Sequence, residues 1–271
     1  MNKNADKILD ADCRTFEEWY RKYRRPDIIH HAEELPLRQD MVALLQYIRD
    51  HKVIGTRSTG NMPLKAVREV TALFVNPPEL ETKIGDRVYP IRSEADVWWL
   101  YFLHILADVG NLISIAPAQR WRITSDGEQF LCLGPLFQTT VLLSIWWYNV
   151  NWLVAYPFAV MGDDLPEDFE QVTLTFLQSH EIDKPIPFKQ FADDLIDQTG
   201  LSATALDSSF KQILLQGSIQ MMVLRTLSFF DAVDEKFREK PDRKGAISDF
   251  GSFKITPFGK CLLDSLLIMG P

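Results

Sequence analysis

The chain has 271 residues and a mass of 31.2 kDa, enough for one large domain or two small ones. Hydrophobic residues make up 46% and charged residues 24%, which excludes a disordered or fibrous chain. The net charge of −8 argues against a general basic coat for phosphate binding and leaves room only for a local basic patch. Cys13, Cys132 and Cys261 lie far apart with no CxxC pair, so neither a disulfide framework nor a cysteine zinc site is expected. A reducing, cytoplasmic setting follows as the expectation, and the polar first twelve residues show no secretory signal.

Residues 16–31 combine aromatics with Arg21, Lys22, Arg24 and Arg25, and Pro26 is expected to end a short helix there. Leu37, Met41, Leu44, Leu45 and Ile48 share one face of an amphipathic helix that leaves Arg38, Asp40 and Arg49 outside. A turn-like run at 55–61 precedes Pro63 and a second helix on Leu64, Val67, Val70, Thr71 and Phe74. Residues 79–92 read as a loop. Ser93 suits an N-cap, with Glu94 and Asp96 in the first turn, for a helix that runs through Trp98 and Trp99 to Gly110. Two β-type stretches, 112–116 and 120–124, have hairpin spacing around Pro117.

Residues 129–162 carry no charge and include Trp146, Trp147 and Trp152. Gln138, Asn149 and Asn151 interrupt this stretch, and Asp163 and Asp164 follow it with no basic counterpart. A buried core segment is therefore expected rather than a membrane span.

Two pairs of segments echo each other in order and spacing. Met62-Pro63-Leu64-Lys65 matches Ile186-Pro187-Phe188-Lys189, and Trp121-Arg122-Ile123-Thr124 with Gly127 matches Phe253-Lys254-Ile255-Thr256 with Gly259. A duplicated unit accounts for both. Between the matches, Phe188, Phe191, Ala192, Leu195 and Ile196 form an apolar helix face ending at Gly200. Phe210, Ile213, Leu214, Gly217, Met221 and Leu224 keep a helical period through a longer helix. Thr124 and Thr256 are placed to cap the helix that follows each last strand, and Pro257 suits its first position.

The order of helices, two strands and an Ile-Thr-x-x-Gly exit resembles the winged helix of many bacterial regulators, over residues 37–133 and more weakly 170–267. The resemblance implies a mainly α fold with small β-hairpins, built as two winged-helix-like units around a central buried helical segment. The expected divisions are an N-terminal helical arm (1–34), a first unit (35–134), the central segment (135–165) and a second unit (166–271).

Winged helices that read DNA place an exposed third helix in the major groove and basic wing residues on phosphate. Here the third helix of the first unit is apolar all round, which marks a buried helix. Lys211, Gln212, Gln216, Gln220 and Arg225 in the second unit have better chemistry, but that half of the chain is the more acidic. The expected function is therefore a non-enzymatic protein-interaction or regulatory module. Duplex-DNA binding through the first unit is the alternative, and a small-molecule binder or enzyme a weaker one.

Arg57, Lys65, Arg68, Arg120 and Arg122 are the candidate contacts to nucleic acid or to an acidic partner, against the bland reading of a solvated surface. Arg120 and Arg122 are expected on a short ordered first wing, unless Arg122 merely pairs with a carboxylate such as Glu128. The charged loop 238–249 is expected to be a mobile second wing. No catalytic residue, cofactor or metal is expected. Residues 55–60 have Walker-like glycine spacing, but Asn61 stands where a phosphate-binding lysine belongs. His30-His31 lacks a third ligand, His104 reads as a satisfied core histidine, and Asp163-Asp164 and Asp193-Asp194 read as solvated acids.

Overall fold

The computed structural model describes residues 13–57, 59–116, 119–156, 165–202, 208–237 and 250–270. The chain is mainly helical, with small antiparallel sheets of two or three strands. It divides into two units. Unit 1 runs over Arg24–Val150, and unit 2 joins the helix α1 (Cys13–Tyr23) to the chain from residue 151 onward.

Unit 1 begins with α2 (Pro26–Glu34) and α3 (Pro36–Asp50), each opened by a proline at its first position. The helix α1 ends at Tyr23, just before Pro26 as expected, and Pro26 also opens the next helix, where its missing N–H costs nothing because no helical partner exists. The expected face of α3 is buried, with Leu37, Met41, Leu44 and Leu45 fully inside. The short helix α4 (Leu64–Thr71) follows.

Residues 81–90 form a hairpin, not a loop. Strand β1 (Glu81–Ile84) pairs antiparallel with β2 (Arg87–Pro90) about a two-residue turn whose first position, Gly85, sits at φ 62. A left-handed first turn position is what glycine supplies without a steric penalty.

Ser93 closes a capping box with Asp96 over a 3₁₀ turn, and α5 (Trp98–Val109) follows. Strands β3 (Ile113–Ala116) and β4 (Arg120–Ile123) form the expected hairpin. The far edge of β4 takes residues 53–55, with Trp121 N–H donating to Val53 O at 3.1 Å and Gly55 N–H to Gln119 O at 2.7 Å. Helices α6 (Ser125–Cys132) and α7 (Pro135–Tyr148) complete unit 1.

The uncharged segment divides between the units at Val150 and Asn151. Its α7 part lies in unit 1 with Trp146 and Trp147 buried. Its short helix α8 (Trp152–Ala155) lies in unit 2 with Trp152 buried. Among the described residues no helix is long and apolar enough to cross a membrane. Residues 157–162 of the segment lie outside the described residues.

Unit 2 continues with α9 (Phe169–Ser179), β5 (Ile186–Pro187) and α10 (Phe188–Thr199), which stops at Gly200 in the left-handed conformation (φ 66). The long helix begins as α11 (Ser208–Ile219), widens to π geometry over Gln220–Arg225 and closes as α12 (Thr226–Phe229). Strands β6 (Val233–Phe237) and β7 (Phe250–Ile255) join β5 in the order β5-β7-β6, and α13 (Pro257–Met269) ends the unit. Helix α1 is tied to α13 by Trp19 Nε1–H to Cys261 O at 2.9 Å and Tyr23 O–H to Asp264 at 2.6 Å. The second-wing residues 238–249 lie outside the described residues.

The two matched sequence segments build the same corner. In unit 1, Thr124 Oγ1 accepts from Gly127 N–H and donates to Asn111 O, and Thr124 N–H donates to Leu112 O. In unit 2, Thr256 Oγ1 accepts from Gly259 N–H and donates to Asp231 O, and Thr256 N–H donates to Ala232 O. Asn111 and Asp231 both adopt positive φ, 55 and 50 degrees, which short polar side chains tolerate best among non-glycine residues. A Cβ on Gly127 would collide with Leu112 O, and one on Gly259 with Ala232 O, so each helix packs directly on the chain entering its hairpin.

A candidate anion-binding groove on unit 1

Strand β4 alternates by period two. Trp121 points inward, 2% exposed, while Arg122 points outward and Arg120 is half-buried. Trp121 is held by its own contacts: its indole N–H donates to Gly60 O at 2.9 Å, and its ring lies against His104 at 4.3 Å between centroids. His104 Nδ1 in turn sits 2.6 Å from Glu94 Oε1, and the other carboxylate oxygen accepts from Met62 N–H at 2.6 Å.

Glu94 is fully buried, and these two hydrogen bonds provide the polar compensation that a buried carboxylate requires. His104 is thus a satisfied core histidine, and no described serine, threonine or cysteine side chain is bonded to it. Its network pins Gly60 and Met62 against α5 and so sets the outer face of β4.

That outer face borders a groove of about 320 Å³ lined by Ile48, Arg49, His51, Lys52, Arg120, Trp121, Arg122 and Ile123. Five of the eight carry cationic or titratable basic side chains, and none is acidic. His51 is fixed at the end of α3, with Nδ1 3.0 Å from Tyr47 O and its ring stacked on Tyr47 at 4.3 Å. Arg49 is shared with Asp50 at 3.0 Å and Glu128 at 4.0 Å. Glu128 therefore faces Arg49 rather than Arg122. Among the described residues, Lys52, Arg120 and Arg122 have no ion-pair partner.

The backbone adds a donor. Arg122 pairs with Ser114 and Thr124 N–H donates to Leu112 O, so the alternation of an antiparallel ladder turns Ile123 N–H away from β3. It emerges on the edge where Trp121 N–H meets Val53, just beyond the end of that short pairing. An edge amide and several cations facing one space are the chemistry that can receive a negatively charged group.

Arg120 and Arg122, expected from the sequence, are brought together here. Arg57 is exposed, its carbonyl accepting from Gln119 Nε2 at 2.7 Å. Lys65 and Arg68 are exposed on α4, with Lys65 3.8 Å from Glu69. None of these three lines the groove. Arg49, His51 and Lys52 were not singled out, although the basic run directly after the last buried turn of α3 is visible in the sequence. Helix α5 exposes Trp98, Asp108 and Val109 and no basic side chain. Among the described residues no three His, Cys, Asp or Glu side chains are grouped to hold a metal ion.

The equivalent place in unit 2 differs. Lys254, in the position of Arg122, lies 3.4 Å from both Asp183 and Asp234, and these hydrogen bonds lift its pKa above the ordinary lysine value. Asp234 is the strand partner of Lys254, whereas Ser114 is the strand partner of Arg122. Comparison with protein-family models, with curated proteins and with solved structures found no match to this chain.

Proposed function

We propose that the chain is a recognition module and not an enzyme, and that the groove of unit 1 receives an acidic segment of a partner protein. The observation that carries this reading is Arg122, which has no ion pair while its counterpart Lys254 is neutralised by two aspartates. Cations gathered without counter-charge repel one another, and an incoming carboxylate relieves that repulsion. The shared order of helices, strands and capped exit in both units supports the winged-helix-like reading, with unit 1 as the binding copy. Cys132 and Cys261, both free thiols, fit a reducing cytoplasmic setting.

Duplex DNA is the second reading. It draws on Arg57, Lys65 and Arg68, exposed beyond the groove, and is weakened by α5, which exposes no Arg, Lys, Asn or Gln to read a base edge.

Anisotropy titration of the full chain against a labelled glutamate-rich peptide and a random duplex, over a salt series, separates the readings. The peptide is expected to bind, and the Arg120→Glu/Arg122→Glu variant to lose that binding. Circular dichroism verifies the fold: the exposed Arg122 change should cost about 0.5 kcal/mol or less, and the half-buried Arg120 change somewhat more. A parent that ignores the peptide, or a variant that binds it equally well, overturns the proposal. Duplex binding with a steep salt slope would instead establish the second reading.

A further inference from the structure

The hairpin β1–β2 stands apart from the rest of unit 1: every side chain described between 81 and 90 is exposed, including Val88 and Tyr89. A two-stranded ribbon without a covered face is marginal in water. Its two edges are not equivalent. Ile91 N–H donates to Leu80 O, and the register Thr82↔Tyr89 and Ile84↔Arg87 continues that series of hydrogen-bonded pairs. The outward-facing backbone groups are therefore those of Glu81 and Lys83 on β1, and of Val88 and Pro90 on β2. Pro90 has no N–H, which blunts the β2 edge. The β1 edge keeps every donor and acceptor.

We propose that β1 pairs antiparallel with β1 of a second copy of this chain about a two-fold axis at Thr82, joining two hairpins into a four-stranded sheet. The charge pattern selects that register. Centred on Thr82, each Glu81 lies directly opposite the partner copy's Lys83, and the same two residues exchange the outward N–H and C=O groups of the β1 edge. Centring on Glu81 or on Lys83 would place like charges face to face, which is destabilising. A two-fold contact of this kind uses the same patch on both copies and closes at the dimer. The inference rests on the hairpin alone and is independent of the groove.

Sedimentation velocity of the full chain over a concentration series, with circular dichroism to verify folding, tests it. The parent is expected to associate from 31.2 kDa toward twice that mass. Glu81→Lys puts lysine opposite lysine in both pairs and should weaken dimerisation about tenfold. Glu81→Lys/Lys83→Glu restores opposite charges and should restore the dimer. A parent that stays monomeric throughout, or a dimer indifferent to the single variant, overturns the proposal. So does a double variant as weak as the single one.

Discussion

Arg122 and Lys254 each follow a buried aromatic on the last strand of their unit and precede an Ile-Thr cap, yet they meet opposite surroundings. Unit 2 places Asp234 across the strand from Lys254 and brings Asp183 to its other side. Unit 1 places Ser114 across from Arg122 and lines the adjoining groove with Arg49, His51, Lys52 and Arg120. The internal corner is shared and the outer face is not. Packing constraints act on the corner, where a glycine and a threonine fit one backbone geometry. The solvent face is free to diverge in charge, and the proposed binding rests on that divergence.

The largest effect expected from breaking the comparison lies in the corner. Gly127→Ala and Gly259→Ala each drive a methyl into a backbone carbonyl, Leu112 O and Ala232 O respectively. Neither neighbour is a flexible side-chain end, so each substitution should cost about 3 kcal/mol. Hydrogen exchange should show the loss first in the unit that carries the change. Equal protection in parent and variant would mean that the corners do not hold the units together.

A smaller effect marks unit 2 alone. Burial by itself would raise the Asp264 carboxyl, but hydrogen bonds from Tyr23, Lys22 and Lys260 outweigh it and hold the pKa below the ordinary value. A depressed folded-state pKa contributes stability above the unfolded carboxylate range, near pH 4, and loses it as pH falls through the folded value. Protection of α1 against exchange should therefore decline on acidification below about pH 4. Asp264→Asn should lower it at neutral pH by about 1–2 kcal/mol and remove that pH dependence. Among the described residues unit 1 has no counterpart to α1 docking on this cluster, so exchange in α3 should be unaffected by Asp264→Asn.

Legibility in the sequence followed the distance over which each feature is determined. The caps at Thr124 and Thr256 were readable because the residues that make them lie within three positions, and the burial of Trp146, Trp147 and Trp152 because no charge interrupts them. Pro26 marks the end of α1 legibly but the helix it opens less so, because proline suits both the position after one helix and the first position of the next. The β1–β2 hairpin was missed since its side chains are solvent-facing and leave no alternation of apolar residues. The groove was half legible. Arg120 and Arg122 stand out on a strand, but Arg49, His51 and Lys52 reach it only because residues 53–55 pair with β4, some 65 positions later, and local pattern carries no trace of that pairing.

The smallest effect gives the sharpest test, because it transplants one element of unit 2 into unit 1. Ser114 is the strand partner of Arg122 as Asp234 is of Lys254, so Ser114→Asp supplies the acid that unit 1 lacks. A cross-strand pair at the surface is worth about 0.5 kcal/mol, so stability should barely change. Binding of the acidic peptide should weaken about threefold, the same energy now opposing its release of Arg122. Ser114→Asn, similar in size and uncharged, separates charge from shape and should bind as the parent does. If the aspartate variant binds the peptide undiminished while Arg120→Glu/Arg122→Glu does not, Arg120 is the principal contact and the pairing state of Arg122 is irrelevant. If both single variants weaken binding alike, the strand partner matters through packing, and the charge contrast between the two units is not what makes unit 1 the binding copy.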